Sequence, residues 1–278
     1  MLKPGSRIGP YEVLDVLGSG SAATTYSAYR QGDRRLVALK VPHPLTRKDT
    51  TFVVRFLQEG ALGARLRHPS IVRVYDAGED GEDLYLAMEF VNGITLRDHL
   101  KAGRMFAVDD ALGIIREVAG ALAYAHENGV IHRDLKPGHV MLVPGGGLKV
   151  MDLGVARAVG DVALTAANVF LGTPQYAAPE AVDARTADAR SDLYSLGMIL
   201  FEMLEGKPPF HASTPAEMII AVYEHRFPAR ESLSNPPPQP VWDLIVSLCA
   251  SDPDDRPASA EEVVERINGI LEGGGLHG

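Results

Sequence analysis

Two rhythms of apolar residues divide the chain. Up to about residue 92, short segments rich in β-branched, aromatic and aliphatic side chains recur: Tyr11 to Leu17, Thr24 to Tyr29, Leu36 to Val41, Ile71 to Ala77 and Leu84 to Phe90. Turn-forming sequences such as Gln31-Gly32-Asp33 and Glu79-Asp80-Gly81 separate them, which predicts a small antiparallel sheet. One helix interrupts it. Phe52, Val53, Phe56 and Leu57, then Ala61, Ala64 and Leu66, share a face at helical spacing before His68-Pro69 stops the pattern.

After Asn92-Gly93 the period lengthens to that of helices. Leu112, Ile115, Val118, Ala119 and Leu122 form one face, with Asp109 placed to cap the helix and Asn128-Gly129 to end it. The run Leu193 to Leu204 contains Ser195 and Gly197 and is too short for a bilayer, so it predicts a buried helix. Ser259 and Glu262 have capping-box spacing ahead of Val263, Ile267 and Ile270. Gly273-Gly274-Gly275 predicts a flexible tail, and no internal repeat or long linker intervenes.

Composition narrows the classes. With 278 residues, 46% of them hydrophobic, the chain has material for one large or two modest domains. A formal net charge of -9 argues against a nucleic-acid surface or an anionic-membrane surface. The single cysteine, Cys249, sits in the apolar stretch Val241 to Ala250 and is expected in the core. Met1 to Pro10 lacks the apolar core of a targeting peptide, so the expected location is cytoplasmic, with no membrane segment in this chain.

Charged turns bring in chemistry. Asp134 stands between Arg133 and Lys136 just past an apolar helix; beside a substrate hydroxyl such a carboxylate can accept its proton while the lysine offsets phosphate charge. Asp152 follows Leu148, Val150 and Met151 and precedes Gly154 by two positions, a setting from which a carboxylate can hold a hard cation such as Mg²⁺. Each aspartate alone is also an ordinary turn former. The turn from Leu17 to Tyr26 (Gly18, Ser19, Gly20, Ser21, Ala22, Ala23, Thr24, Thr25) joins two predicted strands, and its small residues let backbone amides approach a phosphate, though an ordinary hairpin also uses glycine. Strand alternation directs Ala38 and Lys40 to the same side, leaving room for a flat base beside a cation. If Glu59 meets Lys40, it orients it; otherwise both are solvated surface charges.

Taken in order, these motifs resemble the eukaryotic-like Ser/Thr protein kinases, most closely the bacterial membrane-linked members, over roughly residues 8 to 270. The series runs through the glycine turn, Val37-Ala38-Leu39-Lys40, Glu59, Met88-Glu89-Phe90-Val91, His132-Arg133-Asp134, Asp152-Leu153-Gly154, Ala178-Pro179-Glu180, Ser191-Asp192 and Arg256. The resemblance implies an α+β, bilobal protein-kinase-like fold: a β-rich ATP-binding lobe with one main helix over residues 1–92, a larger helical lobe over 93–272, and a tail over 273–278.

It also implies roles. Leu17 to Thr25, Ala38, Lys40, Met88, Glu89, Val91 and Met141 would surround ATP, with Lys40 paired to Glu59. Asp134 would position or deprotonate the acceptor hydroxyl, Lys136 support the γ phosphate and Asp152 hold Mg²⁺. Arg133 would pair with a phosphate on the segment carrying Thr165, the expected autophosphorylation site, and Thr173 would contact the catalytic loop. Glu180 with Arg256 and Asp192 would support the assembly. The implied partners are a protein substrate carrying a hydroxyl and a second copy of the chain paired through the small lobe.

Departures from the family pattern are Ala23 for the third glycine, Thr25 for valine, Leu153 for phenylalanine and His139 for asparagine. The first three preserve size or apolarity. His139 replaces an amide oxygen ligand of the second metal with an imidazole nitrogen, which a hard cation accepts poorly and Mn²⁺ better. An active kinase using one main metal or Mn²⁺, a nucleotide-binding pseudokinase acting as a scaffold, and an unrelated use of the pocket are the readings that follow.

Overall fold

The computed structural model of the chain describes residues 1–20, 22–48, 50–153, 174–182, 188–224 and 227–273. Chain contacts gather these into two units, one holding residues 1–92 with Asp152 and Leu153, the other holding Gly93–Met151 and the described residues from Pro174 onward.

In the first unit, β1 (Arg7–Ile8), β2 (Tyr11–Ser19), β3 (Ala23–Arg30), β4 (Leu36–Pro42), β5 (Val74–Asp80) and β6 (Asp83–Glu89) form an antiparallel sheet in the order β1-β2-β3-β4-β6-β5. Alternation sets its faces: Val37, Leu39 and Val41 are buried with Ile8, Tyr11, Val13 and Tyr26, while Ala38 and Lys40 lie on the opposite, partly exposed side. β5 begins at Val74 rather than at Ile71. Ile71 and Val72 are apolar because they are buried in the connection before it. β1 is two residues long and leaves no periodicity to detect.

Helix α1 (Thr50–Gly63) lies against β5. Phe52 and Phe56 stack on each other, 5.9 Å between centroids, and are buried. A Cβ at Gly60 would fall 2.5 Å from the Cβ of Ala77, so only glycine allows this approach. Past Gly63 the chain makes one more turn, which carries Leu66 into the core.

The second unit is helical apart from the small sheet β7 (Ile94–Thr95), β8 (Val140–Leu142) and β9 (Leu148–Val150). Its helices are α2 (Leu96–Lys101), α3 (Val108–Glu127), α4 (Pro179–Val182), α5 (Ala189–Glu205), α6 (Pro215–Tyr223), α7 (Gln239–Leu248) and α8 (Ala260–Glu272). The anticipated face of α3 is buried, and Asn128 with Gly129 at φ 74° ends it. Its start differs from expectation. Ala107 is the N-cap and makes no side-chain bond, so Asp109 acts in the first turn, where its charge favours the helix dipole.

Nearly every residue of α5 is buried, as its all-round apolarity requires. Gly197 lets α7 approach: a Cβ there would lie 2.7 Å from both Cys249 Sγ and Leu248 Cβ. Burial pushes the Cys249 thiol pKa far up, which makes it an inert core residue. Ser259 caps α8 through the amide of Glu262, whose carboxylate returns to the amide of Ala258 at 2.7 Å. Among the described residues no helix is long and apolar enough to cross a membrane.

Candidate active site

In the first unit, the glycine turn joins β2 to β3 as a hairpin. Gly18 pairs with Thr25 and Ser19 with Thr24, after two register shifts in β2 that bend the strand. The Gly20 amide donates to the Ala23 carbonyl at 2.9 Å, and Leu17 is half exposed. Ser21 lies outside the described residues. Across the sheet Thr25 pairs with Lys40, whose Nζ stands 2.8 Å from Asp152 Oδ1 in a half-buried ion pair. That pair is local to this unit and brings together residues 112 positions apart. Glu59 is on α1, and its side chain lies outside those described, so its partner is not assigned.

Ala38 faces the partly exposed side with Lys40, opposite Met88 of β6. Met88 lines a small cavity with Gly63, Val74, Asp152 and Leu153. Leu153 is buried, so an apolar side chain suffices at this position. The Glu89 amide is engaged by the Arg73 carbonyl at 2.8 Å. Val91, at the end of the unit, is partly exposed.

In the second unit the loop after α3 is built on a buried carboxylate. Asp192, 1% exposed at the start of α5, accepts the amides of His132 and Arg133, each at 2.8 Å, and bonds His126 Nε2 at 2.8 Å. Arg133 has φ 64°, a left-handed conformation costing an L-residue about 1–2 kcal/mol. Hydrogen bonds to a charged carboxylate are worth about 1.5–3 kcal/mol, enough to hold it there. Asp152, with φ 59°, turns the same way.

His132 is fully buried and donates Nε2–H to the Met151 carbonyl at 3.0 Å. Its Nδ1 is then a lone-pair nitrogen, buried without a partner among the described residues. In His139 it is Nδ1 that donates, to the Asp134 carbonyl at 2.8 Å. The two rings stack, 5.4 Å apart and 18° from parallel, and the Met151 amide donates to the His139 carbonyl. His139 thus ties the loop back on itself through a ring braced by His132. Asp134 extends outward from this scaffold, its side chain 48% exposed, with Lys136 Nζ 2.5 Å from Oδ2.

Met141 on β8 is partly buried beside Gly93, where a Cβ would lie 2.5 Å from the Leu142 carbonyl. Gly93 is thus a requirement that sequence reading missed, since the close approach depends on a strand some fifty residues away. Further along, Arg256 donates to Glu180 at 2.6 and 2.9 Å with its own side chain fully buried, and Ser191 Oγ adds a bond at 2.7 Å. Burial alone would raise the Glu180 pKa; Arg256 and Ser191 overcome it and hold the carboxyl below its ordinary range. A second buried cluster was not anticipated: Tyr176 donates to Glu202 while Arg97 donates to the Tyr176 oxygen at 2.6 Å and covers its ring. Thr165 and Thr173 lie outside the described residues.

Residues 11–266 match the family described as protein kinase domain. The chain is 40% identical over 282 residues to Probable serine/threonine-protein kinase SCO3848 of Streptomyces coelicolor, covering 98% of this chain and 42% of that protein. It is 37% identical over 272 residues to Serine/threonine-protein kinase PknB of Mycolicibacterium smegmatis (95% and 43% covered) and 38% over 283 residues to Serine/threonine-protein kinase PknJ of Mycobacterium tuberculosis (100% and 48%). The chain spans less than half the length of these curated relatives. The crystal structure of the Mycobacterium tuberculosis PknI kinase domain superposes with a TM-score of 0.79 at 28% identity, over 98% of this chain and all of that one. The chain belongs to the protein kinase family, on its eukaryotic-like bacterial Ser/Thr branch. This family uses ATP with a divalent metal.

Proposed function

We propose that the chain transfers the γ-phosphoryl group of ATP to serine and threonine hydroxyls of proteins, itself included. The observation that carries this reading is Asp134: an exposed carboxylate, beside Lys136, on a backbone pinned by buried Asp192 and by His139. Stability alone gives no reason to hold a carboxylate so firmly and leave it in water. In the proposed step the hydroxyl oxygen attacks the γ phosphorus, the bond to the β–γ bridging oxygen breaks, ADP leaves and Asp134 takes the hydroxyl proton. Lys136 offsets charge on the transferring group, while Lys40 and the amides of the glycine turn hold the remaining phosphates.

A divalent cation bound with ATP would neutralise phosphate charge. Such a cation is commonly held by phosphate oxygens together with one or two carboxylates. Asp152 is the residue that would hold it, and His139 would offer a ring nitrogen in place of an amide oxygen, a softer donor that favours Mn²⁺ over Mg²⁺. The scaffold reading has no support among the relatives, which carry the names of kinases.

Autophosphorylation at Thr165, with Arg133 receiving the phosphate, and pairing of two chains through the β-rich unit complete the proposal. Incubation with γ-labelled ATP and a generic basic protein, followed by phosphoamino acid analysis, tests it. Label on phosphoserine and phosphothreonine, lost in Lys40→Met, is the expected result; label on phosphotyrosine alone, or equal label in the variant, contradicts it. Mass spectrometry at Thr165 and sedimentation of the purified chain test the two subsidiary points.

A further inference from the structure

The described residues around Gly18 and Gly20 of the glycine turn are poorly held by packing. A Cβ at Gly18 would touch nothing within 4 Å, one at Gly20 would meet only the Ala23 carbonyl at 3.7 Å, and Val16 and Leu17 are exposed. Its placement therefore depends on polar contacts. Thr24, only 2% exposed, has its hydroxyl 3.1 Å from Ser19 Oγ on one side and 3.1 Å from His43 Nε2 on the other. The backbone amide of His43 also donates to the Ala22 carbonyl at 2.8 Å. A hydroxyl this deeply buried costs about 1–3 kcal/mol if left unpaired, so the three groups are constrained to stay together. His43 follows directly on β4, three positions after Lys40.

We propose that His43, acting through Thr24 and Ser19, is a positioning residue for the phosphate-binding turn, locking its amides in register with the strand that carries Lys40. This rests on the reading of the turn as the site of the ATP phosphates. The latch sets how tightly nucleotide is held and takes no part in the transfer itself. His43 does not touch the reacting atoms; it fixes the geometry of those that bind phosphate.

The test compares His43→Phe and Thr24→Val, which break the latch, with His43→Gln, whose amide nitrogen reaches the position of Nε2. Loss of one net hydrogen bond predicts that KM for ATP rises about two- to tenfold in the first two, with kcat nearly unchanged in His43→Phe. His43→Gln should stay near wild type. Hydrogen exchange at the Gly20 amide should accelerate in the two breaking variants, without a matching acceleration across the rest of the unit. Unchanged KM and unchanged Gly20 exchange overturn the proposal, as does His43→Gln behaving like His43→Phe, or acceleration spread uniformly over the chain. If the wild-type protein transfers no phosphate, the proposed function fails by itself. ADP affinity and Gly20 exchange still decide the latch.

Discussion

His139 Nδ1 donates to the carbonyl oxygen of Asp134 at 2.8 Å, so the imidazole closes the loop that carries the proposed base. One ring nitrogen is thereby engaged in the loop, and the proposed metal contact would fall to the other. Replacement by asparagine keeps a donor but exchanges a nitrogen ligand for an oxygen. His139→Asn is therefore expected to raise the Mg²⁺-supported rate relative to the Mn²⁺-supported rate, by about tenfold for each 1.4 kcal/mol gained at the metal. Steady-state rates with each metal check this. An unchanged ratio would mean that His139 serves the loop alone.

Much of this arrangement could be read before any coordinates. The strands showed themselves because Val37, Leu39 and Val41 alternate with more polar neighbours, and α3 because its apolar residues return every three or four positions. Asp134, Lys136, Lys40 and Asp152 were visible as charges at turns and strand ends. What could not be read depends on distant partners. The stacking of His139 on His132, the seat of Gly60 on Ala77 and the Thr24–His43 contact follow from tertiary approach, which no local pattern encodes. Asp109 lies in the first turn rather than at the cap, and its spacing fits either position.

The Glu180–Arg256 pair predicts a defined pH response. Because the folded pKa of Glu180 lies below its unfolded value, the stabilisation is complete above the ordinary carboxylate value and is lost as pH falls through the folded pKa. Glu180→Gln strands a fully buried guanidinium and is expected to cost about 3 kcal/mol at neutral pH. The gap between wild type and variant should narrow as pH drops below about 4.5, in denaturant melts run across that range. A gap that stays constant down to acid pH would contradict the assignment.

Gly60→Ala tests the seat of α1. Alanine improves helix propensity by about 1 kcal/mol. Yet its Cβ would sit 2.5 Å from that of Ala77 and 3.1 Å from Leu86 Cδ1, and forcing the helix outward costs about 1–3 kcal/mol. The expected result is a lower urea midpoint together with a higher KM for ATP. A midpoint above wild type would show that α1 accommodates the methyl without moving.

Tyr176→Phe removes the hydroxyl that donates to buried Glu202, leaving Arg97 as that carboxylate's remaining partner in the cluster. A loss of about 1–3 kcal/mol is expected. Calorimetric melting checks it, and no change in melting temperature would mean that Arg97 alone satisfies Glu202.

As the proposed base of a working kinase, Asp134 must support phosphoryl transfer despite the imidazole at His139. Transfer of γ phosphate from ATP to the protein itself and to a generic basic protein, measured with Mg²⁺ and then Mn²⁺ against an Asp134→Asn control, tests it most directly. Transfer well above the control with at least one metal, and more with Mn²⁺, is the expected result. Transfer at the level of the control with both metals, while ATP still raises the melting temperature, would contradict it.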